Sequence, residues 1–283
     1  MKIASGLILQ VMPFTALLLV TNLMSITSVS ATTSHTLNGT TYVGGDIHTL
    51  TYTQHGLFVT GHESGSLSTD EGMTWKSISS FKNTDIMSWA TTREGFLAGG
   101  HGGLYRSTLN GKSFVRYNFF GKVSDVHALG ASGQIVYMGS PQVGFLTSKD
   151  GGRKWKLINT KFGQGFMGSM LVDPVAPLRV IAPDMNNGLV ITRDGGKNWA
   201  RFGGPSGVMS VAWNPGDSRE IVALGMGTVA FTRDNGKNWS SFPVPMGASA
   251  VSFSPNGKKI FIAILTGNKA SVLTSSNDGK TWN

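Results

Sequence analysis

The side chains best suited to chemistry in this chain of 283 residues are its histidines, and they are unevenly placed. All six, His35, His48, His55, His62, His101 and His127, fall between positions 35 and 127. Asp46 precedes His48 by two residues, Asp85 precedes Met87 and Asp125 precedes His127, in register, and Met209 takes the place of His48 further along. His62 and His101 each stand six residues before a repeated segment described below. Imidazole and thioether groups in this pattern are ligands for copper, and imidazoles alone for zinc or copper. Carboxylates offer a second chemistry, because glycoside hydrolysis uses two carboxyl groups roughly 5 to 10 Å apart. Outside the repeated segments the candidates are Asp46, Asp85, Asp125 and Asp184. The chain has no cysteine, which removes thiolate metal sites, a thiol nucleophile, iron–sulfur clusters and disulfides. It also lacks a phosphate-cradling glycine loop, a Gly-x-Ser-x-Gly elbow and a His-Glu-x-x-His helix. The run Gly99-Gly100-His101-Gly102-Gly103 reads as a tight hairpin.

A repeat must position these groups. Ser68-Thr69-Asp70-Glu71-Gly72-Met73-Thr74-Trp75 recurs at 148–155, 192–199 and 232–239 as Ser/Thr-x-Asp-x-Gly-x-x-Trp, with weaker copies at 107–114 and 275–282. The closing aromatics at 75, 114, 155, 199, 239 and 282 are spaced 39, 41, 44, 40 and 43 residues apart. In each copy the Asp side chain accepts backbone N–H groups a few residues on, the Gly takes positive φ, and the aromatic drops into the core. A period near 41 residues suits one four-stranded propeller blade. The chain beyond residue 31 holds six such blades, with seven a poorer fit to length. The predicted fold is an all-β, six-bladed β-propeller of four-stranded antiparallel blades. The last segment ends at Trp282, so the N-terminal stretch 35–44, with the strand-like Thr40-Thr41-Tyr42-Val43, is expected to supply the outer strand of the sixth blade and close the ring. Innermost strands are expected at 46–50, 85–89, 125–129, 166–170, 207–211 and 247–251.

The repeated segment resembles the Asp-box, or BNR repeat, of bacterial sialidases, sortilin-type receptor propellers, xyloglucanases and photosystem II assembly-factor propellers. The resemblance spans nearly all of the chain after residue 31 and implies a propeller without implying an activity. It implies that the boxes lie on the turn between third and fourth strands, away from the functional rim. Asp70, Asp150, Asp194 and Asp234, with Asp278 in the last copy, and Trp75, Trp155, Trp199, Trp239 and Trp282 are then structural. Leu109 and Asn277 stand at the Asp position of the two weaker copies, where looser turns are expected. A sialidase would need an Arg-Ile-Pro start and an arginine triad, yet no Arg-Ile-Pro occurs and the first arginine is Arg93. A xyloglucanase would need two propellers, and there is room for one.

Residues 1–31 have a basic start, an apolar middle from Leu7 to Met24 and the small-x-small ending Val29-Ser30-Ala31, so they read as a secretory signal peptide, with a retained anchor as the alternative. The remaining domain, 32–283, is then secreted or extracytoplasmic, at the cell surface or in a periplasm, without stable membrane insertion. Its formal charge falls from +9 to +8. The basic residues form no run interleaved with aromatics, so nucleic acid is not an expected partner. These features point to a monomeric binding or assembly module for a protein or glycan partner at the envelope. The alternatives are a glycosidase-like hydrolase using the rim carboxylates, and metal binding by His48, His62, Met87, His101, His127 and Met209. No cofactor is implied, and no metal site is assigned, because ring-related positions are expected to face one another across a channel, too far apart to share an ion.

Overall fold

The computed structural model describes residues 39–107, 110–117 and 123–283. The leader at 1–31, the domain boundary at 32, His35 and Leu109 lie outside the described residues. No helix among the described residues is long and apolar enough to cross a membrane.

Six antiparallel sheets follow one another along the chain. Blade I comprises Ile47–Thr53, Gly56–Gly61, Gly65–Ser68 and Lys76–Ser77; blade II comprises Asp85–Thr92, Gly95–His101, Gly103–Ser107 and Phe114–Tyr117. Blade III is Ala128–Ser132, Ile135–Ser140, Gly144–Ser148 and Lys156–Asn159, and blade IV is Leu171–Val172, Val180–Asp184, Gly188–Thr192 and Ala200–Gly203. Blade V is Ser210–Asn214, Asp217–Gly225, Thr228–Thr232 and Ser240–Pro243. Blade VI takes three strands from Ala248–Phe253, Ile260–Thr266 and Lys269–Ser275, and its fourth from Thr41–Tyr42. Thr41 pairs with Ala270 and Tyr42 with Lys269, and the Val43 N–H donates to the Asn268 carbonyl at 3.0 Å. The ring is a six-bladed β-propeller closed by its N-terminal strand. Innermost strands of all six blades line a central channel, through Leu50, Trp89, Gly130, Met170, Val211 and Val251.

Second strands are buried on both faces, as in Gly56–Gly61 and Val180–Asp184, because each blade packs between two neighbours. The repeated turns set that packing. In blade IV, Thr192 Oγ1 donates to Asp194 Oδ1 at 2.8 Å, the Gly196 N–H donates to Thr192 Oγ1 at 2.9 Å, and the Asn198 N–H donates to Asp194 Oδ1 at 3.0 Å. Asp70 and Asp234 hold their turns in the same way. Hydrogen bonds from the Thr74 hydroxyl and N–H hold the Asp70 carboxyl down to about 2, and those from the Asn238 N–H and amide do the same for Asp234. Gly196, at φ 96, leads the chain back toward blade III, where a Cβ would collide with the Phe145 ring. Trp199 then meets Phe145 edge-on, 5.1 Å between centroids. Gly111 against Phe58, Gly152 against Leu97, Gly236 against Phe202 and Gly279 against Phe231 repeat this approach to the preceding blade. Gly72 against Val272 makes it between blades I and VI.

Two expectations change. In the last turn Asn277, not Asp278, is the acceptor: its Oδ1 receives the Thr281 N–H at 3.0 Å and its Nδ2 donates to Thr281 Oγ1 at 2.9 Å. An amide oxygen takes the carboxylate's place, so the same turn bonds form without its charge. Asp278 is the next residue, at φ 60, and pairs outward with Arg233 at 2.6 Å. In blade IV the expected innermost strand at 166–170 is broken. Phe166 bridges to Asp184, Gly168–Ser169 runs parallel to Ala128–Leu129 of blade III, and regular pairing resumes at Leu171. Gly168, at φ 66, turns the chain out of the strand.

Gly196→Ala is expected to cost about 2 kcal/mol or more in equilibrium urea unfolding, from left-handed strain plus overpacking against Phe145. Gly45→Ala, where a Cβ meets nothing within 4 Å, is expected to change stability by less than about 0.5 kcal/mol.

Candidate functional site

In an antiparallel meander the start of the first strand, the turn between second and third strands and the end of the fourth share one edge. On that rim, blade I places His48 as the second residue of its innermost strand and His62 in its turn. Blade II places Asp85 first in its innermost strand and His101 last in its second, directly paired. Asp125 bridges to His101, and His127 immediately precedes the innermost strand of blade III. The ladder of blade I slips at His48, since Ile47 pairs with Gly61 and Thr49 with Thr60. The same slip falls at Met87 in blade II. A bulge leaves one residue unpaired and re-aims its side chain, and in blade I that residue is His48.

These groups form a continuous cluster. His48 Nε2 lies 2.9 Å from Asp85 Oδ1, while Asp85 Oδ2 lies 2.8 Å from His101 Nδ1 and 3.5 Å from His62 Nδ1. On the other side of its ring, His101 Nε2 lies 3.1 Å from His127 Nε2 and 3.7 Å from Asp125 Oδ1. His127 Nε2 is 2.8 Å from Asp125 Oδ1. Asp46 stands at the edge, its Oδ1 accepting the Ile47 N–H and its Oδ2 3.8 Å from His48 Nδ1. The floor is buried, with the side chains of His48 12% and Asp85 10% exposed, whereas those of His62 and His101 are 58% and 52% exposed at the top. Despite the short distances, His48 Nε2, Asp85 Oδ1 and Asp125 Oδ1 are buried without a hydrogen-bond partner, because the contacts are too bent. His48, His62 and Asp85 form one set able to hold a metal ion, and His101, Asp125 and His127 another; within each, one ligand atom per residue lies within 4.8 Å of the others.

Electrostatics follow from this crowding. Burial works against a charged Asp85, yet its contacts with His48, His101 and His62 outweigh it and hold the carboxyl below its usual range. Burial pushes His127 down, and although Asp125 pulls it up, His101 adds to the depression and the imidazole titrates below its ordinary value.

The ring-related His48 and His127 fall in different sets; the groups that do meet come from non-equivalent positions on successive blades, whose strands and turns pack side by side. Met87 is buried at its bulge, and Met209 is exposed on blade V; neither adds to the His–Asp contacts. Asp184 serves its own turn, accepting the N–H groups of Asn186 and Asn187 and the Asn187 side-chain amide. His55 lies in the turn between first and second strands, at the opposite edge, edge-on to Phe96. The sequence reading missed an arc of exposed methionines on the same rim. Met185 and Met226 occupy the second-to-third-strand turns of blades IV and V, and Met246 precedes the innermost strand of blade VI. Their signal is a long apolar residue at a turn glycine, as in Met226-Gly227 and Pro245-Met246-Gly247.

No protein-family model and no curated protein matches the chain. Among solved structures it is similar to a GH74 enzyme of Niastella koreensis, with TM-score 0.55 and 13% identity, covering 83% of this chain and 53% of that one. It is also similar to YCF48 bound to D1 peptide, with TM-score 0.51 and 16% identity, covering 70% of this chain and 65% of that one. The WD40 propeller domain of Doa1 aligns with TM-score 0.56 and 15% identity over 86% of this chain and 98% of its own. The chain thus spans about half of the first and just under two thirds of the second. At these identities the likeness is one of fold, the β-propeller.

With chelator present, the His127 ring is expected to titrate by NMR below its ordinary 6.5. Asp125→Asn, which removes the upward pull, is expected to lower the midpoint further; an unchanged or raised midpoint would contradict the assignment. Because the unfolded chain then takes up this proton first, His127 withdraws stability as pH falls below its ordinary 6.5. Asp85 contributes stability above its ordinary 3.8 and loses it as pH falls toward its depressed folded value.

Proposed function

We propose that the protein is a binding module working outside the cytoplasm as a monomer, secreted or at the cell surface, and that its rim is the contact face for a protein partner. The observation that carries this reading is the set of exposed thioethers at Met185, Met209, Met226 and Met246 on blades IV to VI, on the rim that also bears the half-exposed imidazoles of blades I and II. Single exposed apolar residues are ordinary, whereas four long apolar side chains gathered on one rim favour an interaction surface. Methionine is flexible and polarizable, and moulds to protein surfaces. A glycan would be better served by aromatic platforms, and the arc holds thioethers instead. The fold neighbours support binding, since YCF48 is bound to a peptide in its structure. The leader-like segment at 1–31 supports export, and the formal charge of +8 that remains without it favours loose attraction to anionic polymers of an envelope.

The hydrolase reading is weaker. A general acid needs a raised pKa, and the histidines around Asp85 hold its carboxyl down. The likeness to the GH74 enzyme is one of fold alone.

A photo-crosslinking residue at position 226 or 246, introduced in the native envelope, is expected to give one dominant protein adduct. With the crosslinking residue kept at 226, Met185→Glu/Met246→Glu is expected to reduce adduct formation at least tenfold at unchanged circular dichroism. Hydrolysis of aryl glycosides that is lost in Asp85→Asn or Asp125→Asn would overturn the proposal.

A further inference from the structure

The geometry points to a two-ion centre on the rim of blades I to III, for divalent d-block cations of the copper and zinc class. His48, His62 and Asp85 surround one ion, Asp125 and His127 the other, and His101 stands between them with one ring nitrogen toward each. The inference deepens the reading of this rim as the binding face and names a ligand for it.

Donor type restricts the cation. Four imidazoles and two carboxylates suit zinc, copper or nickel, whereas calcium and magnesium take shells of oxygen. Spacing agrees with coordination. Metal–ligand distances near 2.0 to 2.1 Å at tetrahedral angles place neighbouring ligand atoms about 3.3 Å apart. The contacts in the cluster run from 2.8 to 3.7 Å around that value. Orientation is the stronger sign. A set of His–Asp hydrogen bonds would align each N–H with an oxygen, and buried polar groups in folded proteins are nearly always satisfied. Here His48 Nε2, Asp85 Oδ1 and Asp125 Oδ1 are all buried and unsatisfied within one cluster.

Two further features fit the assignment. Asp46 Oδ2 sits 3.8 Å from His48 Nδ1, the ring nitrogen turned away from Asp85, beyond direct hydrogen-bond distance but on the side where an outer carboxylate favours a ligating imidazole by its charge. The exposed His62 and His101 leave the outer face open, so a cation enters from solvent and retains a position for water or for a side chain of the partner. His101 couples the two positions. Its Nδ1 faces Asp85, and its Nε2 faces Asp125 and His127. For both nitrogens to coordinate, the ring N–H proton leaves to solvent as the second ion binds, and the imidazolate bridges.

The test uses the full chain, stripped with chelator, then loaded with Zn2+ or Cu2+, desalted and counted by mass spectrometry of the metals. Two ions per chain are expected with either cation, and none with Mg2+ or Ca2+. His48→Ala/His127→Ala is expected to weaken each ion at least tenfold in isothermal titration, His101→Ala to reduce the count to one, and His55→Ala to leave it at two, all at wild-type circular dichroism. With Cu2+, the first equivalent is expected to give an isolated paramagnetic signal that the second equivalent diminishes through His101. Fewer than two ions in the wild type, or two retained by the double variant, overturns the centre; two additive copper signals overturn the bridge. Adduct formation at position 226 without metal uptake sinks this inference alone, and metal uptake without an adduct sinks the protein-partner reading alone.

Discussion

The closest constraint in this molecule is the approach of each repeated turn to the blade before it. At Gly196 the backbone runs so near the Phe145 ring that no side chain fits, and the same meeting recurs around the circle to Gly72 against Val272. Six such contacts hold the blades at a fixed separation and fixed tilt. The hydrogen bonds of Asp194 or Asn277 within the turns do not join blades; they hold each glycine in the left-handed conformation that makes the approach possible. Packing between blades thus depends on local turn chemistry, and the rim depends on the packing.

That dependence explains the chemistry of blades I to III. Neighbouring innermost strands lie side by side, so Asp85 reaches His48 of the blade before it and, through His101, the Asp125–His127 pair of the blade after. A one-residue bulge at His48 frees its imidazole from the alternation of the strand. The floor of the cluster is buried, while His62 and His101 stand half in solvent. Fixed inner ligands with adaptable outer ones suit capture of something arriving from outside.

Much of the fold was legible because the repeat is written in residues with few conformational options. Asp, Gly and Trp at constant offsets gave the turns, their period gave the blade count, and the shortfall after Trp282 gave the closure at Thr41–Tyr42. Blade IV was misjudged because one glycine, Gly168, leaves its strand, and periodicity does not register a left-handed φ at a single position. In the last copy Asn277, at the Asp position, holds the turn because only an acceptor oxygen is required, and the neighbouring Asp278 turns outward to Arg233. For the rim, residue types and register were legible, down to His48, His62, His101 and His127. Their mutual distance was not, because it depends on a bulge and on inter-blade tilt, neither of which leaves a pattern in one sequence. The methionine arc carried a signal in Met226-Gly227 and Pro245-Met246-Gly247 that was overlooked, since apolar residues are ordinarily assigned to a core.

Closure by Thr41–Tyr42 imposes an order on synthesis. Thr41–Tyr42 is made before its partner, Lys269–Ser275, so blades I to V emerge and pack while this seam is still open. Loop-closure entropy over all the blades that lie between the two strands makes that pairing slow. During this interval Lys269–Ser275 is an unpaired strand edge of the kind that recruits other chains. The seam therefore separates a folded set of blades from a finished ring, and a nascent chain that exposes it is chemically distinguishable from one that has closed.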